Sequence, residues 1–133
     1  MTYALDTNIL SYVINGDTSL AGKLRTVTEA GDTVMLPLMV YYEARRGLLA
    51  KKATAKMRLF DALCARLGIG YLTRADMNTA ADIYAVCRSK GKPIADGDLL
   101  IAAQCITNGY TLVTNNTKHF ENVCVLAVVN WVE

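Results

Sequence analysis

The short apolar run Tyr3-Ala4-Leu5 stops at Asp6, and Thr7 then opens a second apolar run, Ile9, Leu10, Val13 and Ile14, at helical spacing. No other stretch restricts the fold so tightly. A buried strand that ends on a carboxylate and turns at once into a helix is the start of a β-α unit in a mainly parallel sheet. Thr7 is the expected N-cap of that helix. In open α/β sheets the carboxyl ends of the strands face the ligand crevice. Asp6 can therefore be read as a metal ligand in that crevice, or as a cap for its own helix.

The remaining chain continues the alternation. Asn15-Gly16-Asp17 is a turn, and Leu20, Leu24 and Val27 pattern a helix to about Ala30, closed by Gly31. Thr33 to Leu36 reads as a buried strand stopped by Pro37. Two helices follow, Leu38 to Leu49 and Lys51 to Leu67, and then a short strand within residues 68–73. Thr73 can cap a helix running from about Ala75 to Ser89. Gly91-Lys92-Pro93 turns the chain into residues 94–98, ahead of a segment from Leu99 to Asn108 that is apolar nearly all round. Such a helix is sandwiched within a fold. Thr111 to Thr114 and Val123 to Val129 are the last two strands. The fold class expected is α/β: a three-layer sandwich with a mostly parallel, roughly five-stranded central sheet flanked by helices, residues 1–133 forming one domain.

Composition excludes several classes. Hydrophobic residues make up 53% of the chain and charged residues 20%, which demands a dense core and argues against long disorder. No apolar run approaches the ~20 residues of a membrane span, and no basic stretch precedes an apolar one as in a signal peptide. Four scattered cysteines, Cys64, Cys87, Cys105 and Cys124, and a single histidine offer no zinc cluster. They are expected as reduced, buried thiols in a cytoplasmic protein. The net charge of +2 permits a polyanionic partner only if the basic residues cluster. Lys51, Lys52, Lys56 and Arg58 do so on one helix, and Arg45, Arg46, Lys90 and Lys92 are candidates for the mouth of the crevice.

Four acids stand in unusual places. Asp6 ends a buried strand. Glu43 follows Leu38-Met39-Val40-Tyr41-Tyr42, where a carboxylate is costly unless paired or metal-bound. Asp96 and Asp98 flank Gly97 at the opening of the apolar helix. Each has an ordinary alternative: Asp96 as an N-cap, Asp98 as a first-turn acid, Glu43 as the partner of Arg46 one turn away. Strand-end and helix-start placement nevertheless allows three of them to converge on one crevice, with the oxygen donors that hard divalent cations prefer.

Leu5-Asp6-Thr7-Asn8-Ile9-Leu10, Tyr42-Glu43-Ala44-Arg45-Arg46-Gly47, the run Gly91 to Ala103 and Leu112-Val113-Thr114-Asn115-Asn116-Thr117-Lys118-His119-Phe120 resemble, in order and spacing, the PIN-domain ribonucleases. More narrowly they are similar to the VapC toxins of bacterial toxin–antitoxin pairs, through to Asn130-Trp131. The resemblance implies a metal-dependent endoribonuclease. Asp6, Glu43 and Asp98 would be catalytic, with Asn116 at a fourth corner that is frequently Asp in PIN domains. Asp6, Asp98, Glu43 and Asp96 would hold Mg²⁺ or Mn²⁺, as one ion or two. Thr7, Asn8, Thr114 and Asn115 would position water or a phosphate oxygen.

It also implies an RNA substrate, a homodimer, and a small VapB-type antitoxin whose tail fills the crevice, often with an arginine. Leu38 to Tyr42 and Leu48-Leu49 are candidate interface material. The amide at the fourth corner leaves open a catalytically degenerate PIN-like RNA- or protein-binding module. A strand-end Asp also occurs in aspartate phosphatases and phospho-receiver domains. The first would need a second Asp where Asn8 stands, and the second needs paired acids that are absent here. Because His119 is the only histidine, a two-histidine mechanism is excluded.

Overall fold

A computed structural model describes residues 1–132. Strand β1 (Thr2–Leu5) leads into helices α1 (Thr7–Ile14) and α2 (Thr18–Glu29), then β2 (Thr33–Pro37). Helices α3 (Leu38–Ala50) and α4 (Thr54–Leu67) carry the chain to the two-residue strand β3 (Ile69–Gly70). After α5 (Arg74–Ser89) and α6 (Asp96–Asn108) come β4 (Thr111–Val113), a 3₁₀ turn over Thr117–Phe120, and β5 (Val128–Val129). The five strands form one sheet in the order β3-β2-β1-β4-β5, and every neighbouring pair is parallel. The α/β architecture expected from the alternating pattern is thus present.

The strand order explains where a site must lie. From β1 the chain moves outward to β2 and β3, then returns to the other side of β1 to place β4 and β5. The β1/β4 junction is the switch point at which the connections leave in opposite directions. A crevice opens at such a junction beyond the carboxyl ends of the strands. The register pairs Leu5 with Val113, so Asp6 and Thr114 emerge side by side at that edge.

The core is built from the apolar faces already legible in the sequence. Leu5, Ile9, Leu10, Leu36, Val40, Phe60, Ile101, Leu112, Val113 and Phe120 are essentially inaccessible to water. Full burial of each such side chain contributes about 1.5–3 kcal/mol. The sandwiched helix is α6, where Leu99 and the whole run Ile101 to Cys105 are buried. It ends at Gly109, whose φ of +70° is the left-handed conformation that glycine adopts without penalty. Trp131 packs edge-on against Tyr3 at 5.2 Å, tying the end of the chain to β1.

Four local expectations are corrected. Helix α4 starts at Thr54 rather than Lys51, because residues 51–53 make the α3–α4 turn and Lys52 takes a φ of +53° there. The last strand covers only Val128–Val129, since the stretch before it is consumed by turns. The thiols are not all buried: Cys87 and Cys105 are, Cys64 is half-buried and Cys124 is exposed. Burial pushes the Cys105 thiol up to about 12, which keeps it protonated. Of the candidate interface segment, Val40 belongs to the core and Tyr41 stacks on Phe60, whereas Tyr42 and Leu49 are more than half exposed.

One buried acid is structural. Asp76 accepts the backbone N–H of Thr73 in a capping box that starts α5, and it also accepts from Thr107 and Asn108 of α6. It clips α5 to the carboxyl end of α6.

Candidate active site

Asp6 leaves β1 only 4% exposed and is held on both oxygens. Its Oδ1 accepts the Thr7 N–H at 2.8 Å, and its Oδ2 accepts Thr114 Oγ1 at 2.7 Å and Asn8 Nδ2 at 3.1 Å. Asp6, not Thr7, is therefore the N-cap of α1. It caps its helix and lines the crevice at once, so the two roles open in the sequence are compatible. Charge-assisted hydrogen bonds of this kind pre-set the carboxylate.

Thr7, displaced from the cap, sends its hydroxyl to Glu43 Oε1 at 2.6 Å. This bond carries α1 to α3 and orients Glu43. The other Glu43 oxygen lies against Gly97: a Cβ at that position would come within 2.7 Å of Oε2. The alternative pairing with Arg46 does not form. Arg46 instead lies over the Tyr42 ring at 5.0 Å, and the side-chain ion pairs among the described residues involve Asp32, Asp61 and Asp98.

Helix α6 has Ala95 as its N-cap with no side-chain cap bond, so Asp96 is not the cap. Asp96 and Asp98 both fall in the first turn, where the helix dipole favours negative charge. Asp98 Oδ2 lies 3.2 Å from His119 Nδ1 on the 3₁₀ turn after β4. Burial and the negative charges of Asp6 and Glu43 raise the Asp98 carboxyl above its ordinary value, while His119 draws it back down.

All four acids line one crevice of about 710 Å³, together with Thr7, Asn8, Asn116, Arg46 and His119. Two residues expected to position substrate sit elsewhere. Thr114 is wholly buried and its hydroxyl is committed to Asp6. Asn115 is absent from the crevice wall. Its N–H bonds Asn8 Oδ1, and its side chain bonds Tyr12 and Asn130. Arg45 turns away towards Asp61 and Met57 of α4, and Lys90 and Lys92 do not reach the crevice. Sequence reasoning missed Ser11, a crevice residue one helical turn after Thr7, which the i, i+4 rule could have found. The proximity of His119 to Asp98 had no local signal, because 20 residues and a strand separate them.

The donor set suits a hard divalent cation in kind, being carboxylates with an amide and hydroxyls beside them. Burial first, and then the neighbouring Asp6 and Glu43 charges, disfavour ionised Asp98, with His119 offsetting part of this. Among the described residues no three His, Cys, Asp or Glu side chains already stand together as a ligand set. Glu43 is held by the Thr7 hydroxyl and Asp98 is paired with His119.

A stability consequence follows from Asp98. Below its unfolded value of 3.8 the carboxyl is protonated in both states. As pH rises above that, the unfolded chain gives up the proton before the folded chain does. Folding is therefore progressively disfavoured until Asp98 ionises in the folded state too. In metal-free buffer, the melting temperature of Asp98→Asn minus that of the parent should grow across this acidic window and then level off. A difference that is flat with pH would remove the electrostatic account.

A wholly parallel five-stranded sheet with an acid-lined crevice at its switch point defines an α/β protein with a ligand site at the carboxyl ends of its strands. The PIN domain family matches residues 3–126, and the chain belongs to that family. Within it, the chain is 30% identical over 132 residues to Ribonuclease VapC2 of Rickettsia felis, covering 98% of each protein. It is 32% identical over 135 residues to Ribonuclease VapC2 of Haemophilus influenzae, covering 99% of each. The crystal structure of VapBC2 from Rickettsia felis, bound to a DNA fragment from their promoter, contains a chain that superposes with a TM-score of 0.92 at 30% identity. That match covers 99% of this chain and 100% of that one.

Proposed function

We propose that this protein is a divalent-metal-dependent endoribonuclease, the toxin of a VapBC-type toxin–antitoxin pair, acting in the cytoplasm. The observation that carries the reading is the convergence of Asp6, Glu43, Asp96 and Asp98 on one crevice, in a chain that is similar over its full length to ribonucleases of that name. Asp6 and Asp98 would hold Mg²⁺ or Mn²⁺, with Glu43 and Asp96 assisting directly or through water and Asn116 offering an uncharged oxygen. A bound ion supplies a water of lowered pKa and neutralises charge on the scissile phosphate.

The chain's own residues do the rest. Thr114, Asn8 and the Thr7 N–H fix Asp6 in one rotamer, so little reorganisation is needed when charge develops. Thr7 aims Glu43. Ser11 lines the crevice with a hydroxyl able to hydrogen-bond water or a phosphate oxygen, beside Thr7 and Asn8, whose own donors hold Glu43 and Asp6. The overall step is hydrolysis: a water oxygen bonds to phosphorus, one P–O ester bond breaks, and the leaving oxygen takes a proton. A VapB-type antitoxin and a second copy of the chain are the partners this reading brings, the antitoxin's tail occupying the crevice. Exposed Tyr42 and Leu49 are available to such contacts.

The amide of Asn116 favours a second reading, a catalytically degenerate PIN-like binding module. Incubating the purified chain with end-labelled RNA in Mg²⁺, Mn²⁺ or EDTA separates the two. Internal cleavage with either ion and none in EDTA is the expected result. RNA left intact in all three would favour the binding module, and cleavage undiminished by EDTA would overturn the metal assignment.

A further inference from the structure

The acidic crevice has a neighbour. A pocket of about 210 Å³ shares Thr7, Ser11 and Glu43 with it and extends between α1 and the α3–α4 turn, where Lys51 and Lys56 form its wall with Asn15. The α3–α4 turn, with Lys52 at φ +53°, splits the cluster of cations seen in the sequence. Lys51 and Lys56 face this pocket, whereas Lys52 and Arg58 line a separate apolar hollow with Leu49 and Met57.

Neither Lys51 nor Lys56 is paired with a carboxylate among the described residues. Lys51 stands at the carboxyl end of α3, where the helix dipole favours a cation. Lys56 stands in the first turn of α4, a turn that holds no acid and where the dipole disfavours a cation. Neither an ion pair among the described residues nor the helix end accounts for Lys56 within the fold. An anion bound between the two ammonium groups would supply the missing compensation.

We propose that this pocket is a phosphate subsite for the RNA strand, holding a phosphate that flanks the one in the acidic crevice, with Lys51 and Lys56 as its cations. The assignment rests on the reading of the crevice as a site of RNA hydrolysis. Glu43, on the wall common to both pockets, marks where the strand passes from one to the other. Ser11 and Asn15 add neutral donors along the same path. A phosphate suits two unpaired lysines because Lys is a point charge that needs no fixed planar geometry.

The test measures binding without cleavage. A fluorescein-labelled single-stranded RNA oligonucleotide is titrated in EDTA, by anisotropy, against the parent, Lys51→Ala/Lys56→Ala and Lys52→Ala/Arg58→Ala, over a series of salt concentrations. The first double variant should bind about tenfold more weakly at low salt. Its slope of log affinity on log salt should fall by roughly 0.7, the value for one phosphate on a single strand. The second should stay within about twofold of the parent. All four side chains are exposed, so melting temperatures should stay near the parent's. Equal losses in both variants, or an unchanged slope in the first, would overturn the subsite. If Lys51→Ala/Lys56→Ala kept its RNA affinity but lost binding of a glutamate-rich peptide, the occupant would be protein and the proposal would fall. Parent protein that binds RNA through these lysines but never cleaves it with Mg²⁺ or Mn²⁺ would instead keep the subsite and discard the hydrolytic reading.

Discussion

Asp6→Asn is expected to reduce divalent-dependent RNA cleavage by about 10³-fold while leaving the chain folded. The substitution is nearly isosteric and keeps one carbonyl oxygen, so the α1 cap survives; Asn and Asp are about equally good N-caps. The bonds from Thr114 and Asn8 show how firmly the side chain is placed; an amide keeps its oxygen for the Thr7 N–H but turns an NH2 towards Asn8 Nδ2, so that one bond is lost. What disappears is the charge. Asp6 is the largest charge contribution raising the Asp98 carboxyl, so its removal relieves repulsion in the metal-free protein. Relieved repulsion offsets the lost acceptor, so the variant should melt near the parent in EDTA. Mg²⁺ or Mn²⁺ is expected to raise the melting temperature of the parent and to leave that of the variant unchanged. Cleavage at the parent rate would refute the metal role of Asp6. Unfolding of the variant in EDTA would make Asp6 a structural residue.

Gly97→Ala should separate activity from stability in the opposite direction to an ordinary core substitution. Gly97 lies in the first turn of α6, and alanine there gains up to about 1 kcal/mol of helix propensity. The added methyl would nonetheless come within 2.7 Å of Glu43 Oε2. Glu43 cannot yield without loosening its 2.6 Å bond from Thr7, which is what aims it. A displacement of about 1 Å in such a group can cost roughly 10²-fold in rate. The expected outcome is an unchanged or raised melting temperature with cleavage down by about that factor. Full activity would mean that the position of Glu43 is not critical.

These two residues show how unevenly the site could be read from the chain. Asp6 was visible because a carboxylate that stops an apolar run is a local event. Glu43, Asp96 and Asp98 were visible for the same reason, as acids in apolar surroundings. Gly97 looked like a spacer between two acids. Its function as the surface against which Glu43 rests depends on α3 and α6 being packed together, and no window of sequence contains both. Thr7 was misread for a related reason: Ser and Thr are good caps in general, but here Asp6 is one residue earlier and takes the position.

The basic residues give a similar contrast. Lys51, Lys52, Lys56 and Arg58 form one cluster in the sequence but face two different pockets, because the chain turns through a left-handed residue between the helices. Arg45 and Arg46 are adjacent, yet one reaches α4 and the other the crevice. A helix sends consecutive side chains about 100° apart, so adjacency in the chain is separation in space.

By itself the sequence determined the alternation of short buried strands with amphipathic helices, and hence a parallel α/β sheet, because hydrophobic period and chain punctuation are local properties. It also determined which carboxylates were out of place. The tertiary structure alone decided which strands are neighbours, and so where the switch point lies. That choice brought Thr114 to Asp6 across 108 residues, His119 to Asp98 and Thr7 to Glu43. Hydrogen bonds and charge repulsion act over a few ångströms, and only the packed sheet brings groups so far apart in the chain within that range.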